Sequence, residues 1–529
     1  MKRALTKTPP TLAPLPKKLK ATPSSCVLHW FRSDIRLADN TALSWLLEHK
    51  NHLPLVCLFV ISPVEWKNHQ MAPIKARFIL HNLQNLKSRL IELGIPLVVR
   101  VSESRRAVPD IVKHVAVELG AECVAWNWEY EVHEEWRDNK VMDLLDAVGI
   151  QHAGCHDQCI IDTSRVRTKE GKPYTVFTPF KKTWILTLQK NSHLIKLRDA
   201  PTSNPHKVSK DLARIIETLD ASEIPTASLP APFVNPPANV ITFADATFPA
   251  SEEAALTRLT TFLDARGKGY KDNRDFPGKD VTSKLSPYLS LGVISARTCL
   301  VKALAKNSGK YDSGNEGYIT WISELCWRDF YRNILIEFPR VSKNLPFKLE
   351  TDAVLWKTTP DDPVFQKWCQ GQTGFPIIDA GMRQLLAEGW MHNRVRMIVS
   401  SFLTKDLGID WRLGEAWFME HLIDGDLASN NGGWQWSAST GTDSQPYFRI
   451  FNPTLQSERF DPDGGYIRKY VEELKSVKGK EIHDPKARLN AKEWAKLKYP
   501  APMVDHKVAS KTFLEIFKKG IKGEEAAPE

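Results

Sequence analysis

Apolar residues first gather in short runs. Cys26–Phe31 (CVLHWF) is one, and Leu53–Ile61, Leu97–Val101 and Cys123–Trp126 repeat it. Short apolar runs of this kind read as strands buried on both faces. Between them, Lys75–Leu93 and Val108–Leu119 place apolar residues at helical spacing. Strand and helix alternate, which predicts a parallel sheet covered by helices on both faces. No Gly-x-Gly-x-x-Gly follows the first strand, so the usual dinucleotide phosphate loop is missing.

The pattern changes twice further on. From about Leu197 to Ala250 the chain is rich in Pro, Ala, Ser and Thr, with one short helical piece near Lys210–Leu219. Such a stretch reads as a connector running across a surface. After Glu252 nearly every segment has helical period: Ala254–Ala265, Ala296–Ala305, Tyr318–Phe338, Ile377–Glu388, Asn393–Lys405 and Trp411–Leu422. The expected fold is therefore α/β plus all-α. Residues 26–196 form a parallel-sheet α/β domain, 197–250 a linker, and 251–529 a helical domain.

Length and composition fit this division. The 529 residues exceed one ordinary core, and 42% hydrophobic with 25% charged content describes a globular protein. No apolar run reaches the ~18 residues a membrane span needs. The net charge of +10 favours a polyanionic partner, duplex DNA foremost. Eight scattered cysteines form no CxxC pair, and the run Cys155–Cys159 lacks further ligands nearby. Free thiols in a reducing compartment and no metal are expected. Residues 1–25 hold six Lys/Arg, five Pro and no acid, a composition that cannot bury a core. There Pro16-Lys17-Lys18-Leu19-Lys20 resembles a nuclear import signal. A mitochondrial presequence is the rival reading, which the prolines oppose, and dual targeting stays open.

The helical half carries the candidate chemistry. Tyr270 stands ahead of Thr282-Ser283-Lys284-Leu285-Ser286, a run of hydroxyls that reads either as a helix cap or as a phosphate cradle. In Trp321–Tyr331, Glu324 and Arg328 are i,i+4 neighbours that can pair, sharing a face with Trp321 and Trp327. Two Trp beside Glu and Arg suit either a core helix or a site that stacks on a base and bonds its edge. Gly389-Trp390-Met391-His392-Asn393-Arg394-Val395-Arg396-Met397 follows. The most specific run is Asp424-Gly425-Asp426-Leu427-Ala428-Ser429-Asn430-Asn431-Gly432-Gly433-Trp434-Gln435-Trp436. A polar, Gly-rich stretch of this kind rarely interrupts a helical core without a ligand to satisfy it. Ten of the seventeen tryptophans lie after residue 320.

These elements, in this order, resemble the flavin-binding half of the photolyase/cryptochrome family. Trp30-Phe31-Arg32-Ser33-Asp34-Ile35-Arg36-Leu37 with Asp39-Asn40 resembles that family's opening motif. The resemblance implies an α/β antenna domain and a helical domain holding U-shaped FAD, reduced and anionic in its active form. Tyr270 and Thr282, Ser283, Lys284, Leu285 and Ser286 are then expected at the FAD phosphates. Trp321 and Trp390 are expected as pocket walls, and Arg396 with Asp424 as a salt bridge beside the isoalloxazine. Gly425 and Asp426 are expected near flavin and ribose, and Asn430 facing flavin N5.

The lesion pocket separates family members. The (6–4) enzymes carry histidines where this chain has Asn393 and Met397, and Asn and Met cannot supply the proton that chemistry needs. Asn430 differs from the Asp of plant-type sensors, and Trp436 argues against the DASH group. The resemblance is closest to class I cyclobutane pyrimidine dimer photolyases. It implies Glu324 on the thymine edge, Trp327 and Trp436 flanking the dimer, and Arg274, Arg328, Asn393, Arg394 and Gln456 on DNA. Trp356, Trp411 and Trp434 match the family's electron relay. His69, Asn127 and Glu131 resemble the folate-type antenna site, which implies 5,10-methenyltetrahydrofolate. The expectation is a monomer acting on dimer-containing DNA in the nucleus, with a mitochondrial share open and no membrane partner. The alternative is a blue-light receptor acting through protein partners, which the short charged end after Lys519 disfavours.

Overall fold

A computed structural model of the chain describes residues 26–220 and 223–522; the basic segment 1–25 lies outside the described residues. The five strands are β1 (Cys26–Phe31), β2 (Leu55–Ile61), β3 (Leu97–Val101), β4 (Ala121–Asn127) and β5 (Gln151–Cys155). They pair in parallel in the order β3-β2-β1-β4-β5. Alternate side chains point to opposite faces, as strand geometry requires. Val27 and Phe31 join Leu55, Cys57, Phe59 and Ile61 in one apolar cluster. Leu28, Trp30, Val56, Leu58 and Val60 join another on the opposite face. The first four strands coincide with the apolar runs, and β5 has no such run.

The helices follow the apolar period closely. Pro73–Glu92, Val108–Glu118, Glu252–Ala265, Ala296–Lys306, Glu316–Glu337, Pro376–Glu388 and Trp411–His421 fall within a few residues of the expected spans. The segment expected to run as one helix to Lys405 is α-helical only over Asn393–Ser401 and continues as a π-turn over Phe402–Asp406. The Pro-rich stretch holds the expected helix Lys210–Leu219 and a second, Ala238–Thr247. The Gly-rich run, expected to interrupt the helices, is itself a helix, Leu427–Ala438, capped by Asp426. Among the described residues, no helix is long and apolar enough to cross a membrane, and all eight cysteines are free thiols.

Two features fix the helical half against the sheet. The first apolar cluster runs on from the sheet into Leu300, Ile322, Phe330 and Ile334. Beside it, the opening motif builds a buried ionic lattice. Arg36 pairs with Asp157. Arg297 reaches Asp157 at 2.6 Å and Asp39 at 3.0 Å. Burial alone would raise the Asp157 pKa, but the two guanidiniums outweigh it and hold the carboxyl far below its usual range. A second apolar cluster, with Trp368, Trp411 and Trp434, fills the C-terminal helices.

Candidate functional site

Three helix ends meet around one hollow. His392 caps the helix Asn393–Ser401, which projects Asn393, Arg396 and Met397 one turn apart. The turn after the helix Trp411–His421 brings in Asp424 and Gly425, and Asp426 opens the next helix with Asn430 one turn on. Together these residues and Trp434 line a single cavity.

Its polar edge is an ion pair. Arg396 Nη2 lies 3.0 and 2.9 Å from the two Asp424 oxygens, and Arg396 Nε donates to Met391 O at 2.8 Å. Asp426 accepts from Ser429 N at 2.9 Å and pairs with Arg332. Burial opposes that charge, yet Arg332 and then Arg328 hold the Asp426 carboxyl well below its usual range. Asn430 donates its amide Nδ2 to Glu415 O at 3.0 Å and lines the hollow, and among the described residues nothing donates to its carbonyl oxygen. His392 is buried, and burial pulls its pKa down to about 4, so it stands neutral beside Asn393.

The candidate phosphate run is an irregular loop up to Leu285, with Lys284 at φ 49° and Leu285 buried, and Ser286 opens the short helix Ser286–Ser290. Among the described residues, the hydroxyls of Thr282, Ser283 and Ser286 find no hydrogen-bond partner, while Lys284 pairs with Asp280 at 2.9 Å. Lys284 also stands 5.5 Å from the ring centre of Trp390, whose buried indole N–H has no acceptor. Tyr270 and Trp321 both pack on Phe262, at 5.6 and 5.4 Å. Free hydroxyls, a lysine and an unpaired indole N–H in one region fit a polar, phosphate-bearing ligand.

On the helix Glu316–Glu337 the expected Glu324–Arg328 pair does not form. Glu324 pairs with Arg274 at 2.5 Å. Arg328 points inward and donates to the carbonyl oxygens of Gln158 and Leu289. Those acceptors hold its guanidinium inside, so the structure does not offer Arg328 to a DNA phosphate. Arg394 pairs with Asp275 at 3.0 Å, and Trp327, Trp436 and Gln456 are half-buried. Asn393 is exposed, with its amide 3.8 Å from Met397 Sδ.

The three relay candidates are linked through the fold. Trp434 packs against the helix Trp411–His421, where only a glycine, Gly414, leaves room for its ring. Trp411 begins that helix and is fully buried. Lys357, next to half-buried Trp356, exchanges backbone hydrogen bonds with Gly408 and Asp410, both at 2.9 Å. That bridge sets Trp356 beside the strand-like lead into Trp411.

At the antenna candidates, His69 Nε2 meets His133 Nδ1 at 3.1 Å, and burial lowers the His69 pKa to about 4. Glu131 is raised by burial and then by Glu129. Asn127 departs from expectation. Its amide donates to Asp34 at 2.6 Å and Asn40 at 2.8 Å, and its oxygen accepts from Ala42 N at 3.0 Å. With its amide hydrogens and its oxygen so engaged, Asn127 is a structural tie rather than an antenna contact.

Several residues at the site carry no sequence signal. Lys75, from the helix Pro73–Glu92 beside the sheet, donates to Gly425 O. Burial lowers its pKa against the pull of Asp426 and Asp424. Arg332 and Glu415 join the site from behind its lining, through Asp426 and Asn430.

The chain is similar to known proteins. The family described as DNA photolyase matches residues 27–203, and the FAD binding domain of DNA photolyase matches residues 321–519. A deoxyribodipyrimidine photo-lyase of Neurospora crassa is 43% identical over 517 residues, covering 94% of this chain and 82% of the relative. One from Escherichia coli is 40% identical over 496 residues, covering 94% and 99%. The crystal structure of a class III photolyase from Agrobacterium tumefaciens superposes with a TM-score of 0.79 at 34% identity, over 96% of this chain and 100% of that one.

Proposed function

This chain belongs to the DNA photolyase family and repairs cyclobutane pyrimidine dimers in DNA with light; we propose which of its residues do so. The helical half takes up FAD. When bound in reduced form, FAD supplies the light-driven electron that opens the dimer. The observation that carries the site assignment is the Arg396–Asp424 pair, in which Nη2 reaches both carboxylate oxygens, on the same hollow as Asn430.

Arg396 holds the Asp424 carboxylate, through a charge-assisted contact from Nη2 to both oxygens, at the polar edge of the flavin ring. Asn430, anchored through Nδ2, offers a neutral acceptor to a ring N–H and does not ionise. Thr282, Ser283, Lys284, Leu285 and Ser286 line the phosphates, with Tyr270, Trp321 and Trp390 as walls. Gly425 and Asp426 hold the ribose side.

The lesion is read from the other side. Enzymes that act on a base within a duplex first extrude it, and photolyases are among them. Glu324 accepts from the thymine edge, and Trp327 and Trp436 flank the extruded bases. Asn393 and Met397 do not titrate, and neutral His392 lies behind them, so the pocket lacks the proton that (6–4) repair needs. Arg274, Arg394 and Gln456 contact the DNA backbone, which makes binding salt-dependent. Trp356, Trp411 and Trp434 pass electrons inward to reduce the flavin. His69 and Glu131 hold a folate antenna, 5,10-methenyltetrahydrofolate. The domain limits are those expected above, the protein acts as a monomer, and Lys17, Lys18 and Lys20 direct it to the nucleus, with mitochondrial delivery as a second address.

Asp424→Asn tests the site. It keeps the shape and removes the charge that Arg396 faces. The purified variant is expected to retain much less FAD, read from the visible flavin absorbance per protein. Full flavin content with unchanged repair would show that this pair lies outside the flavin site.

A further inference from the structure

We propose that Phe177 is a positioning residue for dimer recognition, fixing the plane of Trp327 against which the lesion packs. The proposal rests on the reading of Trp327 as one flank of the lesion cleft.

Phe177 opens the helix Phe177–Lys190 and is 7% exposed. Its ring lies parallel to the Trp327 indole, with centroids 3.6 Å apart and planes 7° from parallel. Phe330 in turn meets Phe177 edge-on at 5.8 Å. One whole face of Trp327 is therefore covered, and a base meets this half-buried indole by the remaining face or edge.

The segment that carries Phe177 is tied to the opposite wall. Phe177 N donates to Asp443 Oδ2 at 3.1 Å, and Thr442 Oγ1 donates to Thr175 O at 2.6 Å. Thr442 and Asp443 follow the helix Leu427–Ala438, which carries Trp436. The two walls also touch directly. Tyr331, one turn beyond Trp327, packs so closely on Gly432, one turn before Trp436, that a Cβ there would lie 2.4 Å from its ring. Residues 175–177 thus brace both indole-bearing helices from outside the matched FAD-binding segment. An indole held in its bound orientation loses less freedom when it takes the lesion, so the brace favours damaged over intact DNA.

The test uses the full-length, FAD-loaded protein and a duplex with one thymine dimer beside its undamaged twin. Phe177→Leu keeps most of the volume and removes the stacking face. Affinity for the dimer duplex is expected to fall roughly three- to tenfold, the range of an aromatic pair. Affinity for the undamaged duplex and flavin content stay unchanged, and Phe177→Tyr restores dimer affinity. Binding is scored on the flavin-loaded fraction, so loss of fold does not enter. Trp327→Ala runs in parallel. If it keeps full dimer affinity, the reading of Trp327 falls and the brace with it. If Trp327→Ala weakens dimer binding and Phe177→Leu does not, the brace alone is overturned. Equal weakening on both duplexes, or no rescue by tyrosine, also overturns it.

Discussion

Replacing Gly414 with alanine drives one methyl group into the six-membered ring of Trp434. The new Cβ would stand 2.1 Å from Trp434 Cη2, 2.4 Å from Cζ3 and 2.6 Å from Leu403 Cδ2. Carbon atoms rest about 3.5–4.0 Å apart, so the indole must retreat by about 1.5 Å. Trp434 is 2% exposed and Leu403 fully buried, and both are packed in the second apolar cluster. Overpacking of this kind costs about 1–3 kcal/mol. Alanine in place of a helical glycine returns about 1 kcal/mol. The net expectation is a loss of up to about 2 kcal/mol, read as a lower denaturant midpoint at unchanged slope. With Trp434 in the proposed relay and moved from its place, light-driven reduction of bound FAD should slow as well. A variant that is stabilised by the full helix-propensity gain, and that photoreduces at the wild-type rate, would refute this packing.

Other expectations follow from the same contacts. Trp356→Phe should slow flavin photoreduction yet leave repair by chemically pre-reduced protein near wild type, both followed by flavin and thymine absorbance. Asp157→Asn breaks a buried carboxylate between Arg36 and Arg297 and should cost about 3–5 kcal/mol in denaturant unfolding. Because the folded Asp157 pKa is depressed, its contribution is full above the unfolded value of about 3.9 and is lost as pH falls below it; the variant should lack that acid loss. Glu415 has the opposite sign. Burial raises its pKa from 4.5 to about 7, so the folded state binds the extra proton and stability falls as pH rises across that window. The fall amounts to roughly 3 kcal/mol at most. Glu415→Gln should flatten it, checked by urea midpoints at either end of the window.

The sequence carried the α/β-then-helical layout because apolar runs and helical periods coincide with buried faces. It did not carry β5, where Gln151–Cys155 has only Ala153 buried and pairs along one edge. The helix Leu427–Ala438 was hidden by two glycines and two asparagines, which propensity sends to loops. Tertiary bonds override that preference. Asn431 donates to Asn344 at 3.0 Å, and Gln435 donates to Leu345 O at 3.2 Å. The motif residues Asn393, Arg396, Met397, Asp424, Asp426 and Asn430 do meet at one hollow. Pairings were harder. Local spacing favoured Arg328 for Glu324, but the chain returns Arg274, fifty residues earlier, to that carboxylate. Lys75 enters from a helix beside the sheet and Phe177 from a helix packed on Glu316–Glu337, and no periodicity within one segment encodes such contacts.

This protein opens pyrimidine dimers with light. The most direct test is illumination of dimer-containing DNA with the flavin-reduced protein, while the ultraviolet absorbance of intact thymine is followed. Absorbance should recover under near-ultraviolet or blue light, stay flat in the dark, and stay flat with (6–4) photoproducts. Dimers left intact after illumination of flavin-reduced protein would show that this chain does not repair them.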